Sequence, residues 1–297
     1  MTRPGINADD TKLRIQGECA ALLIHGLSGS PLEMQYLAKR LRQAGFATSV
    51  PHLEGYGFGQ RPDPFATGTW RQWQAQVLDH FDELARNHEC VCVAGLCVGA
   101  VLALKLAAER HGKIAALALL ATTLAYDGWS IPWYRFLAPL AYYTPLRRRY
   151  SYRERHPYGV KNTSLRKWIA REMSEKSTSI AGASSLPMTA IYQAEKLIRH
   201  VRRMVPAVNA PALVIHAMED DVASVKSAEF VLDNIGSDDV DFLLLHDSYH
   251  MVTLDNEKEL VADKTIRFFH TRARKLAETD AMRGISADAA SHTAIAA

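Results

Sequence analysis

Short, largely apolar runs recur along the chain at Ala20 to His25, Ala47 to Pro51, Cys90 to Ala94, Ile114 to Ala121, Pro211 to Ala217 and Val240 to His246. None reaches helix length, so they predict buried β-strands. The segments between them carry apolar positions three and four apart. The clearest follows Thr69, a good N-cap, where Trp70, Trp73, Val77, Phe81 and Leu84 share one helical face. Further helices are predicted over Pro31 to Gly45, Val98 to Arg110, Lys226 to Ile235 and Asn256 to about Leu276. Strands alternating with helices imply an α/β fold, a doubly wound and mostly parallel sheet covered on both faces.

The alternation is interrupted once. Residues 123–205 read as a long, mainly helical insertion and divide a core formed by 1–122 and 206–279; residues 280–297, rich in Ala, Ser and Asp, read as a mobile tail. Charge divides along the same line. The whole chain carries +3, but 123–205 carries +10 and the remainder −7. That asymmetry points to an anionic partner for the insertion, and no recognised nucleic-acid motif accompanies it.

Composition narrows the class further. Hydrophobic residues make up 48% and charged residues 23%, as in ordinary globular proteins. The start shows no apolar signal region. The run Ile131 to Tyr143 contains Arg135 and is too short to cross a bilayer, so no transmembrane segment is expected and the cytoplasm is the expected compartment. The four cysteines form no disulfide framework, and no metal-ligand spacing is present; neither a metal nor a cofactor is expected.

One of those cysteines carries the chemistry. Cys97 is the centre of Gly95-Leu96-Cys97-Val98-Gly99, directly after the strand at 90–94 and before a run of good helix formers. A nucleophile held on a tight strand-to-helix turn needs glycine two places to either side, because a Cβ there would collide with the turn. Such a nucleophile requires a base, an orienting acid and an oxyanion hole. Downstream, Asp220 and Asp221 sit at the tip of the strand that ends in His216-Ala217, and His250 follows the last strand. Both places are carboxyl ends of strands, where open α/β sheets bind ligands. His250 is the candidate base and Asp220 the candidate acid, with Asp221 the alternative. The backbone N–H groups of Leu27 and Val98 are the candidate oxyanion hole. His25 reads as a structural hydrogen-bonding residue.

These stretches together resemble the carboxylesterase and monoacylglycerol-lipase branch of the α/β-hydrolase superfamily. The likeness is carried by Leu22 to Gly29, Pro51 to Gly57, Ala94 to Gly99, His216 to Val222 and Ser248 to Asp255, and runs from about residue 20 to 272. It implies an α/β-hydrolase fold with a helical cap and assigns the acid to Asp220, the histidine to His250 and the oxyanion positions to Leu27 and Val98. The chain departs from the family in three places. Cys97 stands where the family has serine, Ala217 where it usually has glycine, and Tyr249 where a glycine commonly precedes the histidine.

A thiol ionises more readily than a hydroxyl and forms a thioester acyl-enzyme. The sequence therefore predicts an acyl-enzyme hydrolase of small carboxylic esters or thioesters with a Cys97-His250-Asp220 triad. The alternatives are an acyltransferase that moves acyl groups between thiols of CoA or an acyl-carrier protein, and an inert binding protein on the same fold. The insertion holds three of five Trp and eight of eleven Tyr, including Trp129 and Trp133. They fit either the cap's own small core or an apolar acyl pocket, in which Trp129 and Trp133 would bind substrate. Arg147-Arg148-Arg149, Arg153, Arg155, Lys161, Arg166 and Lys167 fit a solvated face, or a surface for an acyl-carrier protein, CoA or anionic lipid.

Overall fold

The structure is a computed structural model that describes residues 19–57, 67–176 and 178–275; the expected tail at 280–297 lies outside them. Six strands form the main sheet: β1 (Cys19–Ile24), β2 (Ala47–Ser49), β3 (Cys90–Leu96), β4 (Ala116–Leu120), β9 (Ala212–Ala217) and β10 (Val240–Leu245). Their order is β2-β1-β3-β4-β9-β10 and every neighbouring pair is parallel. The chain leaves β1 toward one edge and returns to β3 on the other side, so the carboxyl ends of β1 and β3 flank the crevice where the strand order reverses.

Side chains alternate across this sheet. Leu22, Ile24, Val91 and Val93 face one core; Ala21, Leu23, Cys90, Cys92 and Ala94 face the other. The first is closed by α2 (Trp70–Asn87) and α3 (Val98–Glu109), the second by α1 (Gln35–Gln43) and a helix over 258–275. Helix α2 starts at a capping box between Thr69 and Gln72 and buries Trp70, Trp73, Val77 and Phe81, the face the spacing predicts. The helix expected from Pro31 opens instead as a single 3-10 turn, Pro31–Met34, before α1.

The insertion carries α4 (Ala138–Tyr142), α5 (Thr163–Lys176) and two small antiparallel ribbons, which pair β5 (Ser151–Arg153) with β8 (Ser185–Pro187) and β6 (Thr178–Ser179) with β7 (Gly182–Ala183). Its last helix, α6 (Met188–Val201), belongs to both parts. Ala194, Leu197, Ile198 and Val201 pack into the first core with α3, so core packing resumes inside α6, ahead of the boundary expected at 205.

Candidate active site

Cys97 lies between β3 and α3 with φ 59° and ψ −121°, a conformation that costs a non-glycine residue about 1–3 kcal/mol. The flanking glycines are forced. A Cβ on Gly95 would lie 2.3 Å from the Gly99 carbonyl oxygen, and one on Gly99 would lie 2.4 Å from that of Ile24. The Cys97 N–H donates to Leu120 O at 2.9 Å, and the Thr123 hydroxyl donates to Sγ at 3.3 Å. Thr123 was not singled out by its sequence; it reaches the thiol because β4 runs beside β3.

His250 and Asp220 meet beneath the thiol, both buried. The ring Nδ1 lies 2.8 and 3.0 Å from the two carboxylate oxygens of Asp220. Asp220 Oδ1 also accepts the N–H groups of Val222 and Ala223 at 2.8 Å, a local turn that fixes the carboxylate before any tertiary contact. Burial opposes charge on both groups, yet their mutual attraction prevails. The His250 pKa stands well above 6.5, raised by the Asp220 carboxylate and then by Cys97, and the Asp220 pKa lies below its ordinary value. Cys97 lies close enough to the ring for its charge and a side-chain hydrogen bond to add to that rise. Asp221 does not touch the ring. Its oxygens accept the backbone N–H groups of Gly159 and His250 at 3.2 and 3.4 Å, and burial raises its pKa.

The loop after β1 is tied on every side. Gly26 N–H donates to Glu33 Oε2 at 2.8 Å, Ser28 N–H to Tyr56 O, and Ala183 N–H of the cap ribbon to Ser28 O. Leu27 lies within this loop, and Val98 is the first residue of α3, where backbone N–H groups lack intrahelical partners. His25 Nδ1 contacts the Gly26 carbonyl at 2.8 Å, and burial lowers its pKa to about 4. Glu33 is almost wholly buried, which pushes its pKa up to about 7. A signal for it exists in the sequence: Glu33 falls on the buried stripe of Met34, Leu37, Ala38 and Leu41, where a charge is out of place.

Between cap and core lies an apolar cavity of about 390 Å³ whose wall includes Asp221 and Val222 of the acid turn and Tyr126, Leu137, Leu140 and Met188. Trp129 and Trp133, expected to bind substrate, are not in that wall. The Trp129 indole N–H donates to Glu219 O, and Trp133 is 83% exposed. Part of the basic cluster is engaged internally as well. Arg147 bonds Tyr142 O and stacks on Tyr192, Lys161 pairs with Glu219 at 2.9 Å, and Arg166 bonds Val160 O and Lys161 O. Arg148, Arg149, Arg153, Arg155 and Lys167 are exposed. Among the described residues no group of three or more His, Cys, Asp or Glu side chains could hold a metal ion, and no helix is long and apolar enough to cross a membrane.

Comparison with known proteins follows the same outline. The family model Hydrolase_4, described as serine aminopeptidase, S33, matches residues 18–259. The thermostable monoacylglycerol lipase of Bacillus sp. (strain H-257) is 26% identical over 257 residues, covering 86% of this chain and 92% of the lipase. The carboxylesterase of Bacillus subtilis (strain 168) is 23% identical over 255 residues, covering 85% and 92%. Among solved structures, a metagenome-derived lipolytic enzyme superposes with a TM-score of 0.69 at 25% identity, covering 86% of this chain and 95% of that one. The monoacylglycerol lipase of Paleococcus ferrophilus superposes with a TM-score of 0.70 at 14% identity, covering 86% and 96%, a likeness of fold.

Proposed function

Because the chain belongs to the Hydrolase_4 (serine aminopeptidase, S33) family, we propose that it is an esterase- and lipase-type hydrolase that cleaves carboxylic esters or thioesters through an acyl-enzyme on Cys97. One observation carries this reading: a strained cysteine at a glycine-flanked elbow lies close enough to a buried His250–Asp220 pair to raise the pKa of its ring. The relatives named for lipase and esterase activity support the class of bond cleaved.

In the first half-reaction the thiol proton passes to Nε2 of His250, and Sγ adds to the acyl carbonyl. The Leu27 and Val98 N–H groups receive the resulting oxyanion, donors that in a water-poor site are worth about 3 kcal/mol each at the transition state. Collapse breaks the bond to the leaving alkoxide or thiolate, which takes the proton from the imidazolium and leaves acyl-Cys97. In the second half-reaction Nε2 takes a proton from water, hydroxide adds to the thioester, and the carboxylic acid departs as the proton returns to Sγ. Asp220 holds the ring in the required tautomer and stabilises its charge throughout.

The sulfur nucleophile also favours a second reading. Transfer of an acyl group from Cys97 to another thiol exchanges one thioester for another at little cost in free energy, which would suit CoA or an acyl-carrier protein as acceptor. Intact-mass measurement after mixing with p-nitrophenyl butyrate separates the readings. Hydrolysis predicts a transient mass increase at Cys97 that decays in buffer and is absent in Cys97→Ala, together with nitrophenol release. An adduct that persists until a thiol is added identifies transfer. Undiminished turnover by Cys97→Ala would refute both.

A further inference from the structure

Four carboxyl groups share one imidazole. The charge of His250 acts on Asp220, Asp221, Glu33 and Glu154, and of these only Asp220 bonds its ring. Even a protonated His250 leaves the group with an excess of negative charge once the carboxyls ionise. Glu33 is closed in beneath the Gly26 loop, with its carboxylate accepting that N–H. Glu154 is placed differently. It comes from the cap, joins Asp221 in the cavity wall, and has no Lys or Arg paired with it among the described residues.

The rest of the wall suits a cation. Tyr126, Tyr134, Tyr142, Tyr150 and Tyr152 all contribute to it, and tyrosine faces attract positive charge. The Tyr126 hydroxyl is buried with no hydrogen-bond partner, and Tyr126 lies close enough to Cys97 to feel its charge, which links this part of the wall to the elbow although Cys97 is not itself in the wall. Two arginines also belong to the wall, but neither answers Glu154. Arg135 is bound to Glu195 at 2.5 Å and lies over the Tyr126 ring, and Arg155 is exposed. A neutral apolar ligand would seal Glu154 and Asp221 away from water with only His250, already paired with Asp220, as countercharge, and an anion would add a like charge. Burial and the neighbouring Asp221 already push the Glu154 carboxyl up to about 7, a strain that a ligand cation would relieve.

We infer that this cavity selects a substrate whose short apolar chain ends in a positively charged nitrogen, an amine or a quaternary ammonium group, held by Glu154 and Asp221 among the tyrosine rings. The inference deepens the proposed hydrolysis by naming its substrate class, and it rests on that reading for the reaction but not for the binding.

The test compares p-nitrophenyl trimethylammoniobutyrate with its carbon isostere, in which a tert-butyl group replaces the trimethylammonium, each rate divided by the ester's spontaneous hydrolysis. The expected kcat/KM ratio favours the cationic ester by about tenfold or more and falls toward one in Glu154→Gln. Calorimetric titration of Cys97→Ala with choline and with its isostere dimethylbutanol supplies a readout independent of turnover. Tighter binding of choline that Glu154→Gln removes is expected. If the neutral ester is cleaved at least as well and choline does not bind, the cation site is refuted while hydrolysis stands. If choline binds but neither ester is cleaved, the site stands and the hydrolase reading falls.

Discussion

Asp220→Asn removes one charge from the buried pair and leaves the side-chain shape nearly intact. The carboxylate accepts three N–H groups: that of His250 Nδ1, shared between its two oxygens, and those of Val222 and Ala223. An amide oxygen can still serve the turn. Toward the ring, a single charge-assisted bond worth about 1.5–3 kcal/mol becomes a neutral one of about 1 kcal/mol. Severing a buried, hydrogen-bonded charge pair costs about 2–5 kcal/mol in all, roughly 30- to 5,000-fold in kcat/KM. The ring also changes its acidity. Burial alone lowers the pKa of His250, and the Asp220 charge is the main influence that raises it. Without that charge the imidazolium forms less readily and the thiol proton has a poorer acceptor. Initial rates with p-nitrophenyl butyrate from pH 5 to 9, alongside thermal unfolding to establish folding, measure the effect. Asp221→Asn serves as the contrast, because Asp221 meets only backbone N–H groups of Gly159 and His250. An Asp220→Asn loss below threefold, or a larger loss in Asp221→Asn, would refute the assignment of the acid.

Two further perturbations probe the scaffold. Burial raises the Glu33 pKa from the usual 4.5 to about 7, so the folded protein holds that proton where the unfolded chain has lost it. The Glu33 contribution to stability therefore falls as pH rises from about 4.5 to 7 and levels off above; Glu33→Gln, which keeps an acceptor for the Gly26 N–H, should make the slope shallower and be more stable above pH 7 by up to about 3 kcal/mol. Parallel pH profiles of urea unfolding for the two proteins would contradict this. In Gly99→Ala, the new Cβ meets the carbonyl oxygens of Ile24 at 2.4 Å and His25 at 2.5 Å, backbone that moves only with β1. A destabilisation of about 3 kcal/mol or more by urea unfolding is expected, and one below 1 kcal/mol would mean that the elbow is looser than this packing requires.

Local chemistry made much of this protein legible from its residues. The strand at 90–96, Cys97 and the helix from Val98 are contiguous, so the glycine spacing alone dictates the turn, and the backbone angles at Cys97 follow. Thr69 announces the start of α2, and the apolar spacing behind it gives its buried face. The turn around Asp220 is likewise written within four residues. What the sequence left open were pairings between distant segments. Whether Asp220 or Asp221 meets the imidazole depends on how β9 and β10 lie side by side and where the loop after β10 returns. Trp133 reads as apolar and is exposed, Glu33 reads as charged and is buried, and Lys161 and Arg166 read as free cations and are bound internally. Glu154 and Asp221, 67 positions apart in the chain, become neighbours only when the cap closes over the sheet. Periodicity and turn chemistry report forces between residues a few positions apart; burial of charge and the shape of a cavity arise from contacts that exist only after the layers have packed.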